Sequence, residues 1–121
     1  MQDVGIEEIA SAWIAFSEHA EHPKEEDDNF WAYEHLSRYV SSDSSRAMDI
    51  ILCILSINHS ERVLANVGAG PLEELLLHHG DEILERVEFL ANNNAYFHEA
   101  LGMVWVDSLP GKVRMALGKL L

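Results

Sequence analysis

Apolar residues recur at spacings of three and four along most of the chain, and this periodicity limits the possible folds more than any other feature. In the first segment the apolar stripe is formed by Ile6, Ile9, Trp13, Phe16 and Ala20. Such a stripe is typical of an amphipathic helix, here over about residues 3–20. No segment alternates apolar and polar residues between hairpin turns, as strands do. The sequence therefore predicts an all-α fold.

Capping residues and polar breaks predict where the helices of the first half begin. Asp28 or Asn29 can cap a second helix, Asp43 a third over roughly 44–58, and Ser60 a short fourth. The third segment is apolar around most of its circumference, including Ile57 at its end, so we expect it to be the central buried helix.

Glycines and asparagines predict the breaks of the second half. The loop GAG at 68–70 leads to Pro71 as the first residue of a helix, and Gly80 is expected to end that helix as a left-handed cap. Asp81 then opens another helix, and Asn92–Asn94 form the next break, with strong turn and capping chemistry. Trp105 falls on the predicted inward face of the helix that follows. We expect a compact bundle or a short solenoid-like stack of seven to eight short helices.

Length and cysteine content bound the domain organisation and the compartment. The chain of 121 residues fits one domain over 1–121, without a linker that would divide it. No apolar run approaches the roughly 18 residues that span a bilayer, and the N-terminus lacks a basic leader region. Cys53 is the single cysteine and lies within an apolar run, so we interpret it as a packing residue. A reducing cytoplasm is the expected location.

The charge is strongly and unevenly acidic. The chain has 21 acidic and 8 basic side chains, a net charge of −13. Residues 1–34 carry ten carboxylates against the single basic residue Lys24. From Pro110 onward, in contrast, all the charged side chains are basic. This charge argues against DNA, RNA or an anionic membrane as a ligand. It favours a protein with a basic surface, because opposite charge accelerates association.

The sequence contains no recognisable catalytic, metal or cofactor motif. Seven histidines are present, but there is no His-Glu-x-x-His pattern and no second cysteine, and Pro23 interrupts the helix beside His22. Glu73 and Glu74 in the turn after the glycine loop would repel a phosphate. No Gly-x-Ser-x-Gly nucleophile elbow occurs. We therefore expect no enzyme activity, no metal and no cofactor.

Several segments together resemble a known family. They are Trp13 and Ala15, then Phe30-Trp31-Ala32, then VGAGPLEELLLHHGDEILERVE at 67–88, and ALGMVW at 100–105. This pattern resembles a small bacterial all-helical domain family of unknown function, marked by Gly-Pro-Leu-Glu-(Asp/Glu)-Leu-Leu followed by His-Gly. The motif positions are Gly70, Pro71, Leu72, Glu73, Leu75, Leu76, His79 and Gly80.

The resemblance covers about Trp13 to Val113 and implies a helical fold without implying an activity. One departure is the lack of an acidic residue within Asn94-Ala95-Tyr96, before the aromatic Phe97. The motif is either an architectural corner or a binding surface. Its polar members, Glu73 and His79, could meet only around a bend.

These features favour a non-catalytic acidic module that binds another protein, in the manner of an inhibitor or immunity protein that masks a basic surface. The predicted contact residues are acidic or aromatic and cluster near the end of the first helix: Glu18, Glu21, Glu25, Glu26, Asp27, Asp28 and Trp31.

Two alternatives stay open. The apolar, acid-free C-terminal segment MALGKLL could pair two copies as a structural homodimer. Less favoured is a metal-dependent enzyme that uses His79 with Glu73, or His19 with His22.

Overall fold

The computed structural model describes residues 5–19 and 28–121, and these ranges contain helices and no strand. The helices are α1 (Ile6–His19), α2 (Phe30–Ser42), α3 (Ser44–Ile57), α4 (Glu61–Val67), α5 (Glu73–Asn93), α6 (Ala95–Leu101) and α7 (Gly111–Leu120). A π turn, Gly68–Leu72, joins α4 to α5, and a 3₁₀ turn, Val106–Ser108, precedes α7. The predicted all-α class is confirmed.

The expected number of seven to eight helices is slightly too high, because residues 61–93 form one helical stretch with two kinks. The described ranges therefore hold six continuous helical stretches. The stretch is kinked at Gly70 (φ −117°, ψ −106°) and at His79 (φ −131°, ψ 18°). The GAG segment is thus a kinked π turn rather than a loop, and the break expected at Gly80 is a kink at the preceding residue, His79. No described residue has a positive φ, so the predicted left-handed cap does not form.

The N-terminal caps predicted from side-chain chemistry are largely present. Asp43 Oδ1 accepts a hydrogen bond from the backbone N–H of Arg46, and Ser60 Oγ accepts one from Val63. Asn94 Oδ1 accepts the corresponding bond from Phe97 at 3.0 Å. Asn29 precedes α2, but its side chain makes no capping hydrogen bond.

Helix α3 lies at the centre of the bundle, as predicted. Ile50, Ile51 and Ile54 are fully buried, and α3 contacts α1, α2, α4, α5 and α6. In a solenoid each unit would contact only its neighbours along the chain. The contacts of α3 therefore favour the bundle. Ile57 departs from the prediction: it is the last residue of α3 and is 45% exposed.

The chain leaves the helical path earlier than expected after α6. Helix α6 ends at Leu101, and Val104 stays buried in the turn that follows. Trp105 lies beyond that turn and is 69% exposed, so its predicted inward position was wrong. The helix therefore ends before the apolar stripe is completed.

Candidate functional site

The structure describes part of the predicted acidic contact surface. Glu18, Asp28 and Trp31 belong to the described residues. The remaining predicted contacts, Glu21, Glu25, Glu26 and Asp27, lie outside them.

Glu18 and Asp28 are both exposed, but their surroundings differ. Glu18, near the end of α1, accepts a hydrogen bond at its Oε1 from Asn58 Nδ2 at 2.7 Å. That bond ties α1 to the turn between α3 and α4. Asp28 lies just before α2 and is open to solvent. Asp28 is therefore free to meet a partner, whereas Glu18 also has a structural bond.

Trp31 is half-buried in the first turn of α2 and is held by its neighbour His35. The two rings meet edge to face with centroids 5.5 Å apart. His35 Nδ1–H donates to the carbonyl oxygen of Trp31 at 2.9 Å, since a carbonyl can only accept. An exposed edge on a ring whose position is fixed is typical of an aromatic binding anchor.

Aromatic contacts hold the start of α2 against the end of α1. The Phe16 ring lies 5.8 Å from that of Phe30 and 5.6 Å from that of Tyr33, and Phe30 stacks on Tyr33 at 5.5 Å. Such pairs contribute about 0.5–1.5 kcal/mol beyond their burial. The positions of Glu18 and Trp31 relative to each other are therefore well defined.

Most carboxylates of the described residues face solvent. All are exposed except Asp49 and Glu73, which are half-buried. Ion pairs between described residues join Arg86 to Asp49 at 2.7 Å and Lys112 to Asp81 at 3.6 Å, and His79 Nδ1 lies 3.3 Å from Glu82 Oε2. The acidic charge is therefore available at the surface rather than neutralised within this part of the chain.

Half of the residues of the predicted motif are buried. Leu72, Leu75 and Leu76 are fully buried, and Gly80 packs against Val113 of α7. Glu73 Oε1 accepts a hydrogen bond from the backbone N–H of Trp105 at 2.7 Å, which fixes the chain beyond α6 against the start of α5.

Glu73 and His79 contact different groups. Glu73 bonds Trp105, whereas His79 Nδ1 contacts Glu82 at 3.3 Å and its Nε2 is buried without a hydrogen-bond partner among the residues that the structure describes. Among the described residues, no group of three or more His, Cys, Asp or Glu side chains is arranged to hold a metal ion. His19 ends α1, but its side chain and the whole of His22 lie outside the described part of the chain.

Replacing Glu73 with Ala is expected to lower the free energy of unfolding by about 1 kcal/mol, because the N–H of Trp105 loses its acceptor. Glu73→Gln keeps an oxygen acceptor and should cost less. Urea unfolding followed by circular dichroism measures both changes. Glu74→Ala, at the exposed neighbouring position, is the control; an equal loss in the control would contradict the role of this bond.

Cys53 on α3 is a partly buried thiol packed against the core. Burial raises the pKa of Cys53 above its ordinary value, and the negative charge of Glu7 adds to the rise. The reactive thiolate is therefore scarce near neutral pH.

Alkylation of Cys53 by iodoacetamide is expected to be several-fold slower in the folded than in the urea-unfolded chain. The rate should climb as pH rises from about 7 to about 10, because the thiolate fraction grows. Glu7→Gln should lower the pKa of Cys53 and speed the reaction, while Glu8→Gln serves as the matched control. Equal rates in folded and unfolded chain would contradict this prediction.

Phe89 on α5 and Met115 on α7 are two large apolar side chains at the surface, and of these only Met115 belongs to a segment that the sequence singles out, MALGKLL. Phe89 is 65% and Met115 69% exposed. A signal for Phe89 was present, because it falls outside the stripe of Ile83, Val87 and Leu90 that faces the core. Phe89 lies beside Glu82, Glu85 and Arg86 in an open cleft.

Comparison with known proteins identifies the family without adding an activity. No helix in the described ranges has the length and apolar content needed to cross a membrane. No curated protein and no solved structure matches this chain. The family model DUF6869, a family of unknown function, matches residues 19–119. The chain therefore belongs to the DUF6869 family.

Proposed function

We propose that this chain is a bacterial, cytoplasmic, non-catalytic module that binds a protein with a basic surface, in the manner of an inhibitor or immunity protein. The observation that carries the proposal is the exposure of its carboxylates. Apart from Asp49 and Glu73, every carboxylate of the described residues is exposed, in a chain of net charge −13.

Electrostatics explains why such a surface favours a basic partner. Like charges that lie close together destabilise the folded chain through mutual repulsion. Lysine and arginine side chains on a partner would relieve that repulsion and accelerate the encounter, to a degree that falls with ionic strength. DNA, RNA and anionic membranes would be repelled by the same field.

The start of α2 is the described surface that best fits the contact. Trp31 is fixed by His35, and the exposed carboxylates of Asp28 and Glu34 lie three residues before and after it. Trp31 and Glu34 are neighbours on the surface of α2, because residues three apart on a helix lie on one face, while Asp28 lies in the turn before the helix. An aromatic anchor flanked by acidic groups fits a basic patch that contains an apolar depression.

The test compares two variants that lose the same charge at different places. The cluster variant carries Glu25→Gln, Glu26→Gln, Asp27→Ser and Asp28→Ser. The control carries Glu8→Gln, Glu61→Gln, Glu99→Gln and Asp107→Ser, all at exposed positions. Each is titrated by calorimetry against the basic protein captured by the wild-type chain.

The cluster variant is expected to bind at least about tenfold more weakly at low salt, with a flatter salt dependence. The control should retain most of the affinity, because the loss of net charge alone acts at longer range and is screened. Unchanged affinity in the cluster variant would remove this surface from the proposal.

A further inference from the structure

An open groove runs between α5 and α7 on a part of the surface distinct from the start of α2. It has a volume of about 780 Å³ and is lined by Leu84 and Glu88 of α5 and by Lys112, Met115, Ala116, Lys119 and Leu120 of α7. We call it the α5–α7 groove.

The floor of the α5–α7 groove is apolar and its rim carries a protruding methionine. Leu84, Ala116 and Leu120 are each partly exposed, and Met115 is 69% exposed. Methionine is flexible and polarisable, so it adapts readily to a pocket on another surface. The apolar floor of the groove can thus accept a methionine side chain, such as the Met115 at its own rim.

The two walls of the groove carry opposite charges that are not paired with each other. Glu88 lies on the α5 wall and Lys119 on the α7 wall, and neither forms an ion pair with another described residue. Among the helices of the described ranges, α7 alone contains no acidic residue, while it carries Lys112, Arg114 and Lys119. The basic complement to an acidic α5 is therefore present in the chain itself.

We propose that the α5–α7 groove binds α7 of a second copy of this chain, forming a two-fold symmetric homodimer. In a two-fold interface each contact occurs twice with the roles exchanged. Met115 of each copy enters the groove of the other, and Lys119 of each copy faces Glu88 of the other. A second copy fits the groove because each chain supplies both members of the pair, an acidic Glu88 and a basic Lys119, and neither is in an ion pair with another described residue.

The test uses the purified chain alone, without a basic partner protein. A negative result would therefore overturn the homodimer and leave the proposed function untouched. Sedimentation velocity over roughly 1–200 µM measures the monomer–dimer equilibrium. Met115→Asp is expected to raise the dimer Kd at least about tenfold, because it places a charge in the apolar groove. Met103→Asp, at another exposed methionine, should leave the Kd unchanged.

Charge reversal identifies the intermolecular pair. Glu88→Lys alone and Lys119→Glu alone each place like charges opposite one another twice in their homodimers, so both variants should be monomeric. An equimolar mixture of the two should dimerise again, because both cross-copy pairs then have opposite charges. A contact between positions 88 and 119 within one chain could not restore the dimer, because each variant chain carries like charges at these two positions.

A wild-type chain that stays monomeric throughout the concentration range would overturn the proposal. So would a dimer that Met115→Asp does not weaken, or a mixture of the two charge variants that stays monomeric. Circular dichroism of each variant checks that the helical content is retained, so that every comparison is between folded chains.

Discussion

Gly68→Ala is expected to lower the free energy of unfolding by roughly 2–3 kcal/mol, through overpacking against backbone that cannot move aside. A Cβ at Gly68 would collide with the carbonyl oxygen of Ala100 and lie 2.6 Å from Met103 Cβ. The Ala100 carbonyl also accepts the N–H of Met103 at 3.0 Å, which holds it in place. Relief would require α6 to move away from the π turn.

Gly118→Ala provides the matched control for this substitution. Gly118 lies within α7 and a Cβ there would meet no atom within 4 Å. The change should stabilise the chain by up to about 1 kcal/mol, because alanine has the higher helix propensity. Urea unfolding followed by circular dichroism measures both variants. A Gly68→Ala chain as stable as the wild type would contradict the close approach of the π turn to α6.

Gly80→Ala is expected to destabilise the chain by about 1–2 kcal/mol, the overpacking cost being partly offset by helix propensity. A Cβ at Gly80 would lie 2.5 Å from Val113 Cγ2. Val113 is buried, and its β-branched side chain has little freedom to rotate away. The α5–α7 contact therefore depends on the absence of a side chain at position 80.

A double-mutant cycle with Val113→Ala tests that contact directly. The truncation alone should cost about 2 kcal/mol through the lost methyl groups and the cavity they leave. In the Gly80→Ala/Val113→Ala chain the new methyl group occupies part of that cavity. The combined loss should therefore be smaller than the sum by about 1 kcal/mol or more. Additive losses in urea unfolding would show that the two residues do not share this space.

Gly68 and Gly80 have a second role that the sequence does not reveal. Glycine in a helical pattern commonly marks a helix end, and the backbone is indeed kinked at Gly70 and at His79, the residue before Gly80. In the structure Gly68 permits the approach of α6, and Gly80 permits that of α7. A requirement set by a residue 32 or more positions away in the chain leaves no local signal.

Local chemistry, in contrast, was readable. Asp43, Ser60 and Asn94 each cap the helix expected of them, because the hydrogen bond reaches only three residues along the chain. The buried face of α3 followed from its apolar circumference. The end of α6 could not be predicted in the same way, because Trp105 continues the apolar spacing although the helix has already ended at Leu101.

For the candidate surface, too, the exposure of single residues could be predicted and a contact between distant residues could not. The exposure of Asp28 and the partial exposure of Trp31 agree with their charge and position. The bond from Glu73 to the N–H of Trp105 joins residues far apart in sequence and had no detectable pattern. The sequence therefore indicated the acidic character of the surface, whereas the structural role of Glu73 depends on tertiary contacts.

Capture from a lysate of the source organism, with stepwise salt elution and mass spectrometry, tests whether this chain binds a protein with a basic surface. We expect a basic protein that is retained at low salt and released at moderate salt, since screening weakens pairing between exposed charges. The purified pair should then re-form with the same salt dependence. Capture of no basic protein at low salt, or of a partner whose binding is indifferent to salt, would contradict the proposal of an acidic protein-binding module.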